Sequence, residues 1–291
     1  MKTAIITALA GALTAVPVSA SPESLRHRGQ TGGQQRQRRA AESIQAGAVY
    51  STVSDDITSI TGTFRVPDPF APTAGPTSAS ADRTTFAVSI YVSLGGLAGE
   101  ASASACANTT STLRAGIDVF WDGIGGTVMA PFAWYQFGTP AENTAFGYAG
   151  FGVTGGDLVR ITATAAETGN PTILIENFGP DAKVASGSTP RESAPPTYGV
   201  GDNLGASLCK SEASWIVEAY WLDEQPRVPV ALANFTDVTF TELAVKTKSG
   251  KTGDATGAKL VEINLAAQGG LLTKTAASTG GLQVKRVLGG A

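Results

Sequence analysis

Ser214-Trp215-Ile216-Val217-Glu218-Ala219-Tyr220-Trp221 alternates bulky apolar residues with a single carboxylate. Successive side chains of a strand point to opposite faces, so Trp215, Val217, Ala219 and Trp221 share one side and Ser214, Ile216, Glu218 and Tyr220 the other. The first set is a core face. The second sets one acid among large neighbours, an ordinary surface residue if that face is wet and an acid of raised pKa if it is a cleft. The same count along residues 113–121 turns Leu113, Ala115, Ile117, Val119 and Trp121 inward. Arg114, Gly116, Asp118 and Phe120 then face outward together. Ala133-Trp134-Tyr135-Gln136-Phe137 gives a third aromatic strand, with Trp134 and Gln136 on one face.

The surrounding sequence has the same texture. From Val49 onward, short runs of Val, Ile, Thr, Phe, Tyr and Trp are separated by Gly, Pro, Asp or Ser, the pattern of strands and turns. Strands are expected over 49–53, 59–66, 86–94, 113–121, 130–137, 158–165, 172–177, 213–222, 231–245 and 260–265. No segment holds a helical period for three turns. Residues 67–76, 155–157 and 180–203 are expected loops, the last an exposed excursion. With no internal repeat and no sharp boundary after residue 40, the expected fold is all-β. It is one antiparallel β-sandwich of two packed, curved sheets, of concanavalin A-like or jelly-roll type, over residues 40–291.

Composition narrows the chemistry. Of 291 residues 42% are hydrophobic and 15% charged, too apolar for a disordered chain and too weakly charged for a helix-rich one. A single histidine, His27, excludes two-His metal sites and His-based triads. The acids are scattered rather than clustered as a calcium loop requires, so no metal and no cofactor are expected. Catalysis, if present, rests on carboxylates, amides, Lys or hydroxyls.

The start of the chain reads as an export signal. Lys2 precedes an apolar run closed by Val18-Ser19-Ala20, so residues 1–20 are expected to be a signal peptide. Residues 21–39, rich in Gln, Gly and Arg and ending Arg36-Gln37-Arg38-Arg39, are expected to be a propeptide or disordered basic segment. Removing residues 1–39 takes away six of 21 basic residues and one of 24 acids, leaving 15 against 23 and a net charge of -8. That balance argues against nucleic acid and anionic membranes as partners. In a secreted protein Cys106 and Cys209 most simply form one disulfide. Two glycosylation sequons, at Asn108 and Asn234, fit a secreted surface.

These residues also carry a resemblance. Leu113-Arg114-Ala115-Gly116-Ile117-Asp118, Trp121-Asp122-Gly123, Ala133-Trp134-Tyr135-Gln136, Cys209 through Trp215-Ile216-Val217-Glu218, and Val228-Pro229-Val230 occur in the order seen in the glutamic peptidases called eqolisins. The weaker Gln45-Ala46-Gly47-Ala48-Val49 resembles that family's mature start. The resemblance implies a secreted, extracellular, monomeric acid endopeptidase acting on protein or peptide substrates. In the family a Glu and a Gln on the concave sheet activate a water and steady the oxyanion. The Glu falls on Glu218 and the disulfide on Cys106 and Cys209, but the Gln position is Arg114. Arginine has donors for an oxyanion and no acceptor to hold a water. The family's two tryptophans near this site are Gln45 and Tyr91 here, and an acid is Gln136.

The expected catalytic residues are therefore Glu218 as general base and acid, Arg114 as an electrostatic clamp and Gln136 as the replacement amide. Tyr91, Asp118, Trp134 and Tyr220 are expected to bind substrate. The rival from another class is a non-catalytic sandwich binding peptides or glycans through Tyr91, Phe120, Trp134 and Tyr220. A glycoside hydrolase would need a second carboxyl about 5 to 9.5 Å from the first, and no strand pairs two acids as Glu-x-Asp would.

Overall fold

The computed structural model of the protein describes residues 43–70, 85–97, 106, 111–123, 126–138, 145–166, 170–194, 208–219 and 230–287. The expected signal and basic segments, Tyr220 and the Asn108 sequon lie outside them. Strands make up most of the described residues, and the only described helix is a short 3-10 turn, Ala266–Gln268. In order come β1 (Gln45–Ser51), β2 (Ile57–Arg65), β3 (Thr85–Leu94), β4 (Thr112–Asp122), β5 (Thr127–Gly138) and β6 (Ala145–Gly147). Then follow β7 (Leu158–Thr164), β8 (Thr172–Asn177), β9 (Glu192–Ala194), β10 (Glu212–Glu218), β11 (Ala231–Leu232) and β12 (Asp237–Thr247). The last are β13 (Thr252–Gly253), β14 (Lys259–Val261), β15 (Asn264–Leu265), β16 (Gly270–Leu271), β17 (Thr273–Ser278) and β18 (Gly281–Arg286).

Two large sheets result. One runs β14-β1-β10-β3-β4-β5-β6 with β11 added on β3, and the other runs β17-β18-β12-β2-β7-β8-β9 with β13 added on β12. Pairing along both paths is antiparallel. The expected antiparallel sandwich is therefore the fold.

Alternation in the sequence explains the layering. Trp215, Val217, Ile90, Val92, Ala115, Ile117 and Val119 turn from the first sheet into the same buried cluster as Ile60, Phe64, Ile161, Ile175, Phe240 and Val284 from the second. Trp215 bridges the layers, its Nε1 donating to the Thr61 carbonyl at 2.8 Å. A Cβ at Gly62 would lie 2.7 Å from the Trp215 ring, so this glycine makes room for the indole.

Several bounds differ from the sequence reading. The strand expected over 231–245 is two strands, because the chain turns between them at Thr236, which has φ 60° and donates its N–H to Asn234 Oδ1 at 3.2 Å. Asn234 itself is 2% exposed, so the surface expected for a glycan at this sequon is not there. The excursion expected over 180–203 is partly tied down. Ala185 is buried beside Leu158 and Phe178, the Ala185 and Ser186 amides donate to Glu242, and β9 pairs with β8. The hairpin β17–β18 was not expected: Lys274, Thr275, Gln283 and Lys285 make its pattern too polar to stand out, although Leu282 and Val284 enter the core.

Candidate active site

The face of the first sheet that turns away from the core collects the remaining chemistry. Register sets its side chains in rows across the strands. Gln45, Glu218, Ser89 and Asp118 are successive partners across β1, β10, β3 and β4. Two residues further along, Gly47, Ile216, Tyr91, Gly116 and Trp134 form the next row, which reaches β5. Two further still lie Val49, Ser214, Ser93, Arg114 and Gln136. Because alternate residues share a face, three rows from five strands converge on one area of sheet.

This face is covered rather than open. Glu218 is 4% exposed, Gln45 2%, Tyr91 1%, Asp118 3%, Arg114 6%, Gln136 1% and Trp134 1%. Val49, Tyr91, Leu97, Trp134 and Ile216 form a second apolar cluster here, with Phe132, Ala145 and Val261 packed against it. The set expected to face outward from β4 does share this side, but as buried residues.

Glu218 receives two described donors on one oxygen. Gln45 Nε2 donates to Glu218 Oε2 at 3.0 Å, and the Tyr91 hydroxyl donates to the same atom. Gln45 Nε2 also donates to the Tyr91 hydroxyl at 3.3 Å, closing a triangle of carboxylate, amide and phenol. Burial, then the negative charge of Glu218, holds the Tyr91 phenol well above its ordinary pKa, so it remains a proton-bearing donor. Gln45 stands directly opposite Glu218 in the β1–β10 ladder, where facing side chains lie close enough to touch.

Asp118 forms a second carboxyl centre. It accepts the Trp134 indole N–H at 2.7 Å. Burial pushes its pKa up to about 7; donors from Ser89 and Trp134 oppose that rise, and the Glu218 charge adds to it. The two acids flank Ser89 in one row, a juxtaposition of strands far apart in sequence.

Arg114 and Gln136 face each other across β4 and β5, two rows from Glu218. The Arg114 guanidinium carbon lies 5.9 Å from the centre of the Tyr91 ring, a cation–π distance. Arg114 Nε and Nη2 and both side-chain polar atoms of Gln136 are buried without a hydrogen-bond partner. Neither residue is hydrogen-bonded to Glu218; the amide that reaches this carboxylate belongs to Gln45. The sequence marked Gln45 as a departure at a tryptophan position, and nothing local to it pointed to a carboxylate 173 positions away.

Of the other residues expected at the site, Trp134 stays with it and Phe120 does not. Trp134 packs at 5.7 Å, ring centre to ring centre, on Tyr91. Phe120, a contact in the binding-module reading, is stacked on Phe132 and buried with Ala87 and Val230 in its own cluster. Cys106 and Cys209 form the expected disulfide. Among the described residues no cluster of His, Cys, Asp and Glu is arranged to hold a metal ion.

Comparison with known proteins adds an independent line. The sequence model of the Peptidase A4 family matches residues 43–286. Scytalido-glutamic peptidase solved with a transition state analog inhibitor is similar at 20% identity and TM-score 0.60, over 84% of this chain and 99% of that one. The same peptidase with a peptide-based transition state analog gives TM-score 0.59 at 20% identity and the same coverage. SCP-B, a member of the eqolisin family solved with the tripeptide Ala-Ile-His, gives 0.57 at 20% identity, again over 84% and 99%. At this identity the likeness shows a shared fold. No curated protein sequence matches the chain.

Proposed function

The chain belongs to the Peptidase A4 family, the glutamic-type endopeptidases called eqolisins, and from that premise we propose that it is a secreted acid endopeptidase in which Glu218 and Gln45 form the catalytic pair. The observation that carries the reading is the 3.0 Å hydrogen bond from Gln45 Nε2 to Glu218 Oε2. It unites a buried carboxylate with an amide, the two group types the reaction needs, although the family's usual Gln position is Arg114.

Glu218 takes a proton from a water as that water attacks the scissile carbonyl carbon. An amide nitrogen has two N–H groups, and those of Gln45 serve Glu218 and the Tyr91 hydroxyl. The longer bond, at 3.3 Å to Tyr91, is the one exchanged for the developing oxyanion, which then receives a fixed donor in a site shielded from water. Glu218 next passes its proton to the leaving amine, and the C–N bond breaks. Tyr91 keeps the carboxylate oriented throughout. Arg114 and Gln136, two rows away, act on the substrate rather than on the water.

The binding-module reading loses one of its contacts, since Phe120 is stacked on Phe132 and belongs to another cluster. Export is supported by the apolar run ahead of Val18-Ser19-Ala20 and by a disulfide that suits an oxidising compartment. The deciding experiment is Glu218→Gln, assayed on an unfolded protein at acidic pH. Proteolysis should vanish while the melting temperature stays close to that of the wild type, and residual turnover near the wild-type rate would remove Glu218 from the mechanism.

A further inference from the structure

We propose that Arg114 and Gln136 form a carboxylate-binding subsite that selects substrates carrying a negative charge close to the bond being cut. The inference rests on the peptidase reading above and names the substrate class it leaves open.

Four polar side chains lie side by side in one register row: Ser214 on β10, Ser93 on β3, Arg114 on β4 and Gln136 on β5. All four are at least nine-tenths buried, at 1%, 0%, 6% and 1% exposure. Yet Ser214 Oγ, Ser93 Oγ, Arg114 Nε and Nη2, and Gln136 Nε2 and Oε1 have no hydrogen-bond partner. Buried polar groups are nearly always paired, and a buried charge is paired most strictly of all. A guanidinium flanked by an amide and two hydroxyls is a set of donors waiting for one acceptor. Its fork matches a carboxylate in two parallel bonds, and no described carboxylate fills that place.

The row is also near the reacting groups. The Arg114 guanidinium lies against the ring of Tyr91, whose hydroxyl donates to Glu218. At ~3.3 Å per extended residue, a carboxylate held there belongs within about three residues of the scissile bond. Two sources share this chemistry: an Asp or Glu side chain of the substrate, or the substrate's own C-terminal carboxylate. The first makes the chain selective for acidic sequences, and the second makes it cut near the ends of peptides.

The test uses versions of one octapeptide taken from a protein that the enzyme cleaves. The C-terminus is free or amidated, and Asp is compared with Asn at each of the three positions on either side of the cut. Affinities are measured by calorimetry on the Glu218→Gln protein, so binding is read without turnover. In one of the two comparisons the carboxylate peptide should bind about tenfold or more tightly, the usual worth of a charge-assisted bond. Adding Arg114→Gln should erase that preference, and lowering pH through the peptide carboxyl's own pKa of about 4 should weaken it. A C-terminal preference identifies the end of the chain as the source; an Asp preference identifies the side chain. Equal affinity in both comparisons, or a preference that survives Arg114→Gln, overturns the proposal. If the double variant does not fold, the same peptide pairs are compared by kcat/KM on the wild type and on Arg114→Lys. There the preference should be present in the first and reduced in the second; equal values in the wild type overturn it. Turnover by Glu218→Gln would instead strike at the catalytic reading, leaving the affinity comparison to stand on its own.

Discussion

Gln45 and Glu218, 173 positions apart in sequence, face each other across the β1–β10 ladder and share a hydrogen bond of 3.0 Å. In the proposed mechanism this pairing puts an amide where the reaction needs a donor, supplied by a strand other than the one that carries Arg114. It gives a direct prediction. Gln45→Ala should lower kcat by about 10²–10³, the usual cost of one lost oxyanion donor, with little change in KM. Steady-state kinetics at acidic pH check this; an unchanged kcat assigns the donor elsewhere.

Asp118 gives stability an unusual pH dependence. Its folded pKa of about 7 lies above the ordinary value near 3.8, so between those limits the folded chain holds a proton that the unfolded chain has released. Its contribution is fully present below about pH 4 and is lost as pH rises through about 7. The wild type should therefore lose melting temperature, relative to Asp118→Asn, as pH is raised across this window. Parallel melting curves for the two proteins would show that Asp118 carries no such shift.

Gly116 stands in the middle row, where a Cβ would lie 2.6 Å from Tyr91 Cβ, 2.5 Å from the Ile90 carbonyl oxygen and 3.0 Å from the Trp134 ring. Gly116→Ala should destabilise by about 1–3 kcal/mol through overpacking. It should also lower activity, because Tyr91 holds Glu218 and Trp134 holds Asp118. Denaturant titration and kcat/KM together test the coupling; a loss in one without the other breaks it.

The disulfide joins residues 103 positions apart, Cys106 to Cys209, at the end of the sheet that carries the site. Replacing both with Ser should lower stability by about 2–5 kcal/mol, measured by guanidinium unfolding. A much smaller loss would mean that the unfolded chain gains little freedom when the link is removed.

Much of the sandwich was legible because alternation is a local signal. Trp215 and Val217 against Ile216 and Glu218, or Ala115 and Ile117 against Arg114 and Asp118, can be sorted by counting in twos, and the structure keeps that sorting. The C-terminal hairpin escaped because its polar residues dilute the same signal. Glu218 was legible as a lone acid among aromatics. Its hydrogen-bond partners were not legible from alternation, since Gln45 and Tyr91 meet it through the register of strands far apart in the chain, and only the family resemblance sets them near the site. Period fixes the face of a residue but says nothing about which strand will lie beside it. Asp118 and Glu218 show the same limit: no strand carries two acids as a Glu-x-Asp pair would, and the sheet sets these two either side of Ser89.

The position of Gln45 at the start of β1 bears on how the protein comes into being. β1 leaves the ribosome first, and β10, its neighbour in the sheet, follows well over a hundred residues later. Until translation has passed Glu218, the two members of the proposed catalytic pair cannot meet. On the proposed reading, a nascent chain that has not yet passed Glu218 has no assembled site with which to break peptide bonds.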